Sequence, residues 1–419
     1  MSRRPEPSPY RWVIEALLVL SLSIQSLVWL APAPLLDPII KELHISLADS
    51  GLVISVIGAC IAIFSMVGSM VAQRLGILHS FMLGIWALAI GQTLSGFAPG
   101  FFALIGCRVL EGIGLGLIIS PPGALVMQWF QVSEWPYINM INSLCPYIGM
   151  TAVFRITAPF YYSLNQSWRG VMLGYGAVTV AIALAWTFLG RERNPEMNVG
   201  GGLAETADAA SESLLLVEAL RTRNVLFMAL ATFGAMWAFQ MYIGFLPLFF
   251  QTYRGLSLDD ASRLTAIFPT AGLVGALAVG FATGPTGLRK PFMWPVELFI
   301  TLTGFLGSVT LTDSNLLRIA LIMLGAGSAG SLVANTTLVM ELPGMTPARM
   351  GAAQALIWGF GFTGAFISPP LGGALAQVFG LRQVMLGFLI FQVMEVIFLY
   401  LVPETGPRRR IRPTPKNSQ

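Results

Sequence analysis

The chain has 419 residues, of which 55% are hydrophobic and only 11% are charged, and its net charge is +4. Soluble globular domains carry about 25% charged residues, so this composition excludes an ordinary water-soluble fold and indicates a chain embedded in lipid. The basic residues also do not form a nucleic-acid-binding patch, because their largest cluster, Arg408, Arg409, Arg410 and Arg412, follows an apolar segment as a membrane-flanking tail would. We therefore expect a lipid bilayer as partner and no nucleic acid.

Twelve apolar runs follow one another along the chain, each about long enough to cross a bilayer as a helix. Because the runs are continuous rather than alternating, they predict helices. In chain order they cover approximately residues 12–35, 50–72, 77–98, 101–128, 137–161, 168–189, 224–250, 261–283, 291–311, 317–340, 350–371 and 381–402. The sequence thus predicts an all-α, polytopic membrane protein with twelve transmembrane helices in two six-helix, pseudo-symmetric bundles.

The longest connection between runs divides the chain into two halves. It carries Gly200-Gly201-Gly202 and several acidic residues, which predict a flexible linker ending in a short surface helix around residues 214–220. We expect a cytoplasmic N-terminal tail (1–11), a six-helix bundle (12–189), a cytoplasmic linker (190–223), a second six-helix bundle (224–402) and a cytoplasmic C-terminal tail (403–419). A weak repeat relates the two halves, because Gly112 to Gly114 aligns with Gly325 to Gly327 at an offset of 213 residues (325 minus 112).

The positions of Lys and Arg in the connections predict the orientation in the membrane. If both termini are cytoplasmic, the inner segments hold 16 of the 24 Lys and Arg residues and the outer loops hold 6. The remaining two, Arg108 and Arg155, lie within apolar runs. This bias predicts a multi-pass protein of the cell inner membrane with both termini on the cytoplasmic side.

Ionisable residues inside the membrane are candidates for function, because burying one costs about 2.5 to 3.5 kcal/mol on insertion scales. Arg108 and Arg155 lie at similar depth in the fourth and fifth runs, Glu111 is one turn from Arg108, and Glu297 or Glu395 lies less deeply. We expect a buried network with Glu111 between the two arginines. Two interpretations are open: either this network binds an anionic substrate or carries a proton on Glu111, or Glu111 only neutralises an arginine and braces the fourth and fifth helices.

Two short motifs resemble those of the major facilitator superfamily. Residues 108–116, with the sequence Arg-Val-Leu-Glu-Gly-Ile-Gly-Leu-Gly, resemble the family's fourth-helix signature, although Glu111 stands where Gln is usual. Residues 69–76 resemble the family's loop motif between helices two and three, with Arg74 and Gly76 matched, but Ser69 and Gln73 replace the usual Gly and Asp. The resemblance extends over residues 12–402.

This resemblance implies a secondary transporter that works by alternating access. It gives Arg108, Glu111 and Arg74 coupling or gating roles, while the departures in the loop motif put the family's usual charge lock at the inner gate in doubt. Helices one, four, seven and ten line the cavity in the family, which implies substrate contacts from polar and aromatic residues on three of them: Gln25, Trp29, Trp237, Gln240 and Asn335. The alternative for these residues is hydrogen bonding between helices.

Arg155 is the candidate for binding substrate, because it lies outside these motifs and a planar guanidinium suits carboxylates. The sequence contains no nucleotide-binding loop and no metal-ligand set, so we predict no cofactor, no bound metal and no enzymatic activity. We expect a monomeric carrier of a small organic solute, anionic and coupled to protons. Two alternatives are open: an efflux carrier for hydrophobic compounds, and a membrane sensor of the same fold that transports nothing.

Overall fold

The computed structural model describes residues 8–119, 121–131, 134–193, 217–345 and 347–406, and these residues are helical without any strand. The helices are α1 (Arg11–Leu30), α2 (Leu36–Leu43), α3 (Leu47–Leu75), α4 (Ile77–Ser95), α5 (Phe101–Ile118), α6 (Pro121–Trp129), α7 (Trp135–Ser163), α8 (Trp168–Leu189), α9 (Arg223–Arg254), α10 (Leu258–Thr265), α11 (Ile267–Thr286), α12 (Leu302–Thr310), α13 (Ser314–Met340), α14 (Pro347–Phe379), α15 (Leu381–Gly387) and α16 (Leu389–Leu401). A π-helical turn, Glu297–Thr301, precedes α12. The prediction of an all-α membrane fold is confirmed.

Eleven segments of the described chain are long and apolar enough to cross a membrane, where the sequence predicts twelve. The exception is the fifth run, which forms α7, a helix of 29 residues. It carries Asn139, Asn142, Ser143 and Arg155 among its apolar residues, and these polar side chains lower its mean hydropathy. The fifth helix is therefore present. If it crosses the membrane, its polar side chains must face other helices or a cavity rather than lipid.

Several predicted runs are broken into shorter helices. Proline accounts for three of the breaks: Pro32 precedes a 3₁₀ turn after α1, Pro121 begins α6, and Pro295 lies just before the π-helical turn. Proline lacks the backbone N–H that continues a helix, so the chain bends or restarts at these positions. A fourth break, at Ala266 in the eighth run, lies three residues before Pro269, which has no N–H to donate to the Thr265 carbonyl. The twelfth run is divided at Phe388 without a proline nearby.

Side-chain caps fix where several helices begin. Ser46 and Asp49 form a capping box at the start of α3. The Ser167 hydroxyl accepts a hydrogen bond from the Gly170 N–H at 3.1 Å, which places the start of α8 where the sequence predicts it. The Asp313 carboxylate accepts hydrogen bonds from the first N–H groups of α13.

The chain forms two compact units that do not coincide with its two halves. The first contains Met1–Glu205, Ile243–Ala266 and Phe366–Val378. In it α5 packs on α3 and α4, α4 packs on α8, and α1 packs on α7. The later segments join it through close backbone contacts, since a Cβ added at Gly51 of α3 would lie 2.4 Å from the Pro369 carbonyl oxygen.

The second unit contains Thr206–Tyr242, Ile267–Ala365 and Phe379–Gln419. Its central helix is α13, which packs on α11 and α12. A Cβ added at Gly325 of α13 would lie 1.9 Å from the Phe268 carbonyl oxygen of α11, so the two backbones are in contact. The predicted linker lies mostly outside the described residues, but its residues 217–221 are described and are helical. The tail cluster Arg408 to Arg412 also lies outside the described residues.

The internal repeat has a structural counterpart at the starts of the third and ninth runs. The Glu192 carboxylate accepts a hydrogen bond from the Leu78 N–H at 2.7 Å. In the other unit the Glu404 carboxylate accepts hydrogen bonds from the Arg289 and Lys290 N–H groups at 3.0 and 2.9 Å. Both pairs have the same offset of 212 residues, 404 minus 192 and 290 minus 78, which agrees with the repeat inferred from the glycines.

Candidate functional site

Arg108 and Glu111 form a buried ion pair on α5, with side chains 1% and 0% exposed. The guanidinium also donates to three backbone carbonyls, those of Val28, Trp29 and Val53. The Glu111 carboxylate accepts a further hydrogen bond from the Ser95 hydroxyl at 2.8 Å. The pair is therefore neutral and hydrogen-bonded, and it joins the fourth run to the first, second and third.

Arg155 does not join this pair. Its side chain is exposed on α7, and it makes no salt bridge among the described residues. The expected network with Glu111 between two arginines is thus not formed, because α5 directs Glu111 towards α4, where it contacts Ser95 and the backbone of Gly91. The Arg155 guanidinium remains available to a ligand.

Arg74, the matched basic residue of the loop motif, is exposed near the end of α3. It forms no ion pair in the part of the chain that the structure describes. In the second unit, by contrast, Arg289 binds the Glu341 carboxylate through Nε and Nη2 at 3.1 and 2.7 Å. The connection between the eighth and ninth runs, in the second unit, therefore has a charge pair that the connection between the second and third runs lacks among the described residues.

The candidates on α1 are Gln25 and Trp29, one turn apart, and Trp29 contacts the buried ion pair. The Gln25 Nε2 group is buried and has no hydrogen-bond partner among the described residues. Trp29, one turn later, is half-buried, and its backbone carbonyl accepts from Arg108. A buried amide N–H without an acceptor destabilises the fold, so the Gln25 Nε2 group is suited to donate a hydrogen bond to an acceptor atom of a ligand.

Trp237 and Gln240 on α9 differ in their surroundings. The Trp237 ring stacks on Phe391 of α16, with ring centroids 4.1 Å apart, and lies edge-on to Phe388. Trp237 is thus packed against the twelfth run. Gln240 is 1% exposed, and its Nε2 group has no partner within the described ranges, so it resembles Gln25 in the other unit.

Asn335 lines a cleft in the second unit with residues from two other helices. The cleft is formed by α9, α13 and α14 and is lined by Met228, Thr232, Leu332, Asn335, Thr336, Val339, Gln354, Ile357 and Trp358. The Asn335 Oδ1 atom is buried and unpaired among the described residues. Two amides, two threonine hydroxyls and an indole line this cleft, whose volume of about 20 Å³ has room for about one water molecule.

Sequence reasoning missed Glu15, which lies four residues into α1 and is 4% exposed. Its carboxyl faces Asn142 of α7 but makes no well-formed hydrogen bond among the described residues. The signal was present, because an acidic residue inside the first apolar run meets the same criterion that selected Arg108. Thr232 was also missed, since an isolated threonine within an apolar run carries no comparable signal.

Comparison with known proteins adds independent information on the whole chain. A family model of the Major Facilitator Superfamily matches residues 18–363. The hexuronate transporter of Bacillus subtilis (strain 168) is 25% identical over 247 residues, which cover 58% of this chain and 57% of that protein. The gallate transporter of Pseudomonas putida is 23% identical over 402 residues, covering 88% and 86% of the two chains.

The fold agrees with these matches. The crystal structure of a bacterial homolog to the human lysosomal transporter Spinster, in an inward-facing and unoccupied conformation, superimposes with a TM-score of 0.80 at 17% identity. The superposition covers 94% of this chain and 97% of that one. The family model spans the fourth-helix signature, the loop motif and most of both helical halves, and the same segments form the fold described above. The chain is a member of the Major Facilitator Superfamily.

Proposed function

We propose that this protein transports small monocarboxylates that also carry several hydroxyl groups, by alternating access and coupled to protons. The observation that carries the proposal is the exposed Arg155 guanidinium, which has no ion-pair partner among the described residues although the sequence predicts it within the fifth transmembrane run. A guanidinium binds a carboxylate through two parallel hydrogen bonds. The two curated relatives support the same class, because a hexuronate and a gallate both combine one carboxylate with several hydroxyls.

Unpaired amides in each unit are also suited to bind the hydroxyl groups of such a solute. Gln25, Gln240 and Asn335 each have a buried polar atom without a partner in the described chain. Amide groups can donate to and accept from solute hydroxyls, so they suit a polyhydroxylated molecule better than a hydrophobic drug. We include Trp29 and Trp237 as flanking aromatic residues and Arg108, Glu111 and Arg74 as gating or coupling residues.

The same proposal covers orientation and assembly. We propose a monomer in the cell inner membrane with both termini cytoplasmic, because Lys and Arg are concentrated in the connections that this orientation places inside. A proton that crosses the membrane with the carboxylate would neutralise its negative charge, so that anion and proton enter together.

Matched ligand pairs test the recognition step on purified protein. We expect galacturonate and gallate to raise the midpoint of thermal unfolding, and galactose and pyrogallol, which lack the carboxylate, to leave it unchanged. The Arg155→Gln variant should lose the stabilisation by the acids, whereas Arg318→Gln, which removes another exposed arginine on a helix, should keep it. Equal stabilisation by acids and neutral analogues, or a normal response of Arg155→Gln, would contradict the proposal.

A further inference from the structure

Two buried carboxyl groups in the second unit lie outside the pairs described so far. Glu297 begins the π-helical turn before α12, Glu395 lies on α16, and their side chains are 2% and 3% exposed. The Gln392 amide nitrogen donates to both, at 2.8 Å to Glu297 Oε2 and at 2.9 Å to Glu395 Oε2. One neutral amide therefore bridges two acidic groups on two different helices.

No cation in the described chain neutralises either carboxyl. The helices packed around the pair carry these charged groups and phenols: Arg223, Arg254, Lys290, Arg318, Arg382, Tyr242, Tyr253 and Tyr400. None of them forms a salt bridge or hydrogen bond with Glu297 or Glu395. The nearest helix start has its cations engaged elsewhere, because Arg289 binds Glu341 and the Lys290 ammonium donates to the Tyr400 carbonyl at 2.7 Å.

Two hydroxyls complete the surroundings of Glu297. The Ser331 hydroxyl of α13 donates to Glu297 Oε1. The Thr301 hydroxyl, at the end of the π-helical turn, lies beside the same carboxyl, is buried, and has no well-formed hydrogen bond in the part of the chain that is described. A single π-helical turn inside a helix is a rare feature that often occurs at functional sites, and here it brings Glu297 and Thr301 together.

Electrostatics decides the charge that this cluster can hold. Glu395 lies six residues before the end of α16 at Leu401, about 9 Å at 1.5 Å per residue, and both carboxyls are buried. Two like charges within a few ångströms in a low-dielectric site cannot both ionise. The pair must therefore bind a compensating positive charge. Because the Gln392 N–H groups already point at both carboxyls, the space between them suits a proton better than a metal cation.

We propose that Glu297 and Glu395, bridged by Gln392, form an exchangeable proton-binding site of the second unit, and this assignment rests on the proposed transport of a carboxylated solute. The proton resides on one of the two carboxyls, and the other accepts from the amide. Ser331 connects the site to the cleft, because it lies on α13 one turn before Asn335. A proton bound at the pair and a solute hydroxyl bound by Asn335 would thus act on the same helix.

Liposomes separate proton coupling from solute exchange. We expect wild-type protein to accumulate a carboxylated solute when the pH gradient is directed inwards. Glu297→Gln and Glu395→Gln should lose this accumulation about tenfold, within the usual range of coupling between two ligands, but should still exchange labelled for unlabelled solute. Glu15→Gln, which removes a buried carboxyl from the other unit, is the matched control and should still accumulate solute.

Infrared spectroscopy tests the site without any transport. We expect purified wild-type protein at neutral pH to show the carbonyl band of a protonated carboxylic acid that shifts in heavy water. Glu297→Gln and Glu395→Gln should each reduce this band, and Glu15→Gln should not reproduce the loss that they share. Glu15 is also a buried carboxyl without a cation among the described residues and can contribute a band of its own. The diagnostic component is therefore the one that both pair variants lose and Glu15→Gln keeps, and a wild-type spectrum with no protonated carboxyl band overturns the site without any variant.

The outcomes distinguish this inference from the proposed function. Absence of carboxylate exchange by the wild type would refute the proposed function. The infrared spectra would still show whether Glu297 and Glu395 hold a proton. Retained proton-driven accumulation in both pair variants, accumulation driven by a sodium gradient instead, or a wild-type spectrum without a protonated carboxyl band at neutral pH would each overturn the proton assignment.

Discussion

At the residue scale, the two membrane arginines of the N-terminal half serve different purposes. Four of the five N–H groups of the Arg108 guanidinium donate hydrogen bonds, to Glu111 and to three backbone carbonyls of α1 and α3. Arg155 has an exposed guanidinium and no ion pair among the described residues. A satisfied charge stabilises the packed helices, whereas an available one can recognise a ligand, so substitutions at the two positions should have different effects.

Arg108→Gln should destabilise the protein strongly. The substitution leaves the Glu111 carboxylate buried without its cation, and breaking a buried pair from one side typically costs about 3 to 5 kcal/mol. We expect a lower midpoint of thermal unfolding in detergent and a partial recovery in the double variant Arg108→Gln/Glu111→Gln, which removes both charges. Arg155→Gln is the control and should unfold like the wild type. An Arg108→Gln protein as stable as the wild type would exclude the bracing role.

At the element scale, the helices of each unit approach one another at glycines. On α7, a Cβ added at Gly149 would lie 2.0 Å from the Ser23 carbonyl oxygen of α1. No rotamer change can relieve such a contact, because the opposing atom belongs to the backbone. Small residues at helix contacts are the usual means by which membrane helices pack closely, and this contact holds α7, with its polar residues, against α1.

Gly149→Ala should therefore separate α1 from α7. We expect a loss of stability of about 1 to 3 kcal/mol, the usual cost of overpacking, seen as a lower thermal unfolding midpoint in detergent. Gly106→Ala on α5 is the matched control, because a Cβ there meets nothing within 4 Å. If both variants unfold at the same temperature, the close contact at Gly149 does not contribute to stability.

At the scale of the whole molecule, the membrane orientation follows from charge and can be measured. Cysteine labelling or reporter fusions at residues 190–223 and 403–419 should report the cytoplasmic side, and a reporter at residues 164–167, between α7 and α8, should report the opposite side. The control is a reporter inserted after each successive apolar run, which should alternate between sides. A reporter in 190–223 that is found outside the cell would contradict the proposed orientation.

The sequence predicts the helical segments and the family, because apolar runs and the motif at residues 108–116 are local features. It does not predict partners across helices. Glu297 and Gln392 are 95 residues apart, and the rotation of each helix about its axis decides whether their side chains meet. The same limit explains why the expected contact between Arg155 and Glu111 is not formed, since equal depth on neighbouring helices does not ensure that two side chains face each other.

Counterflow in liposomes made with the purified wild-type protein tests the central claim most directly. Vesicles are loaded with unlabelled galacturonate or, as the matched control, galactose, and labelled galacturonate is added outside. We predict transient accumulation of the label in the galacturonate-loaded vesicles alone, because only a solute that the protein carries can exchange across the membrane. Equal labelling of both vesicle populations, or ligand-induced stabilisation of the protein without any flux, would contradict the account.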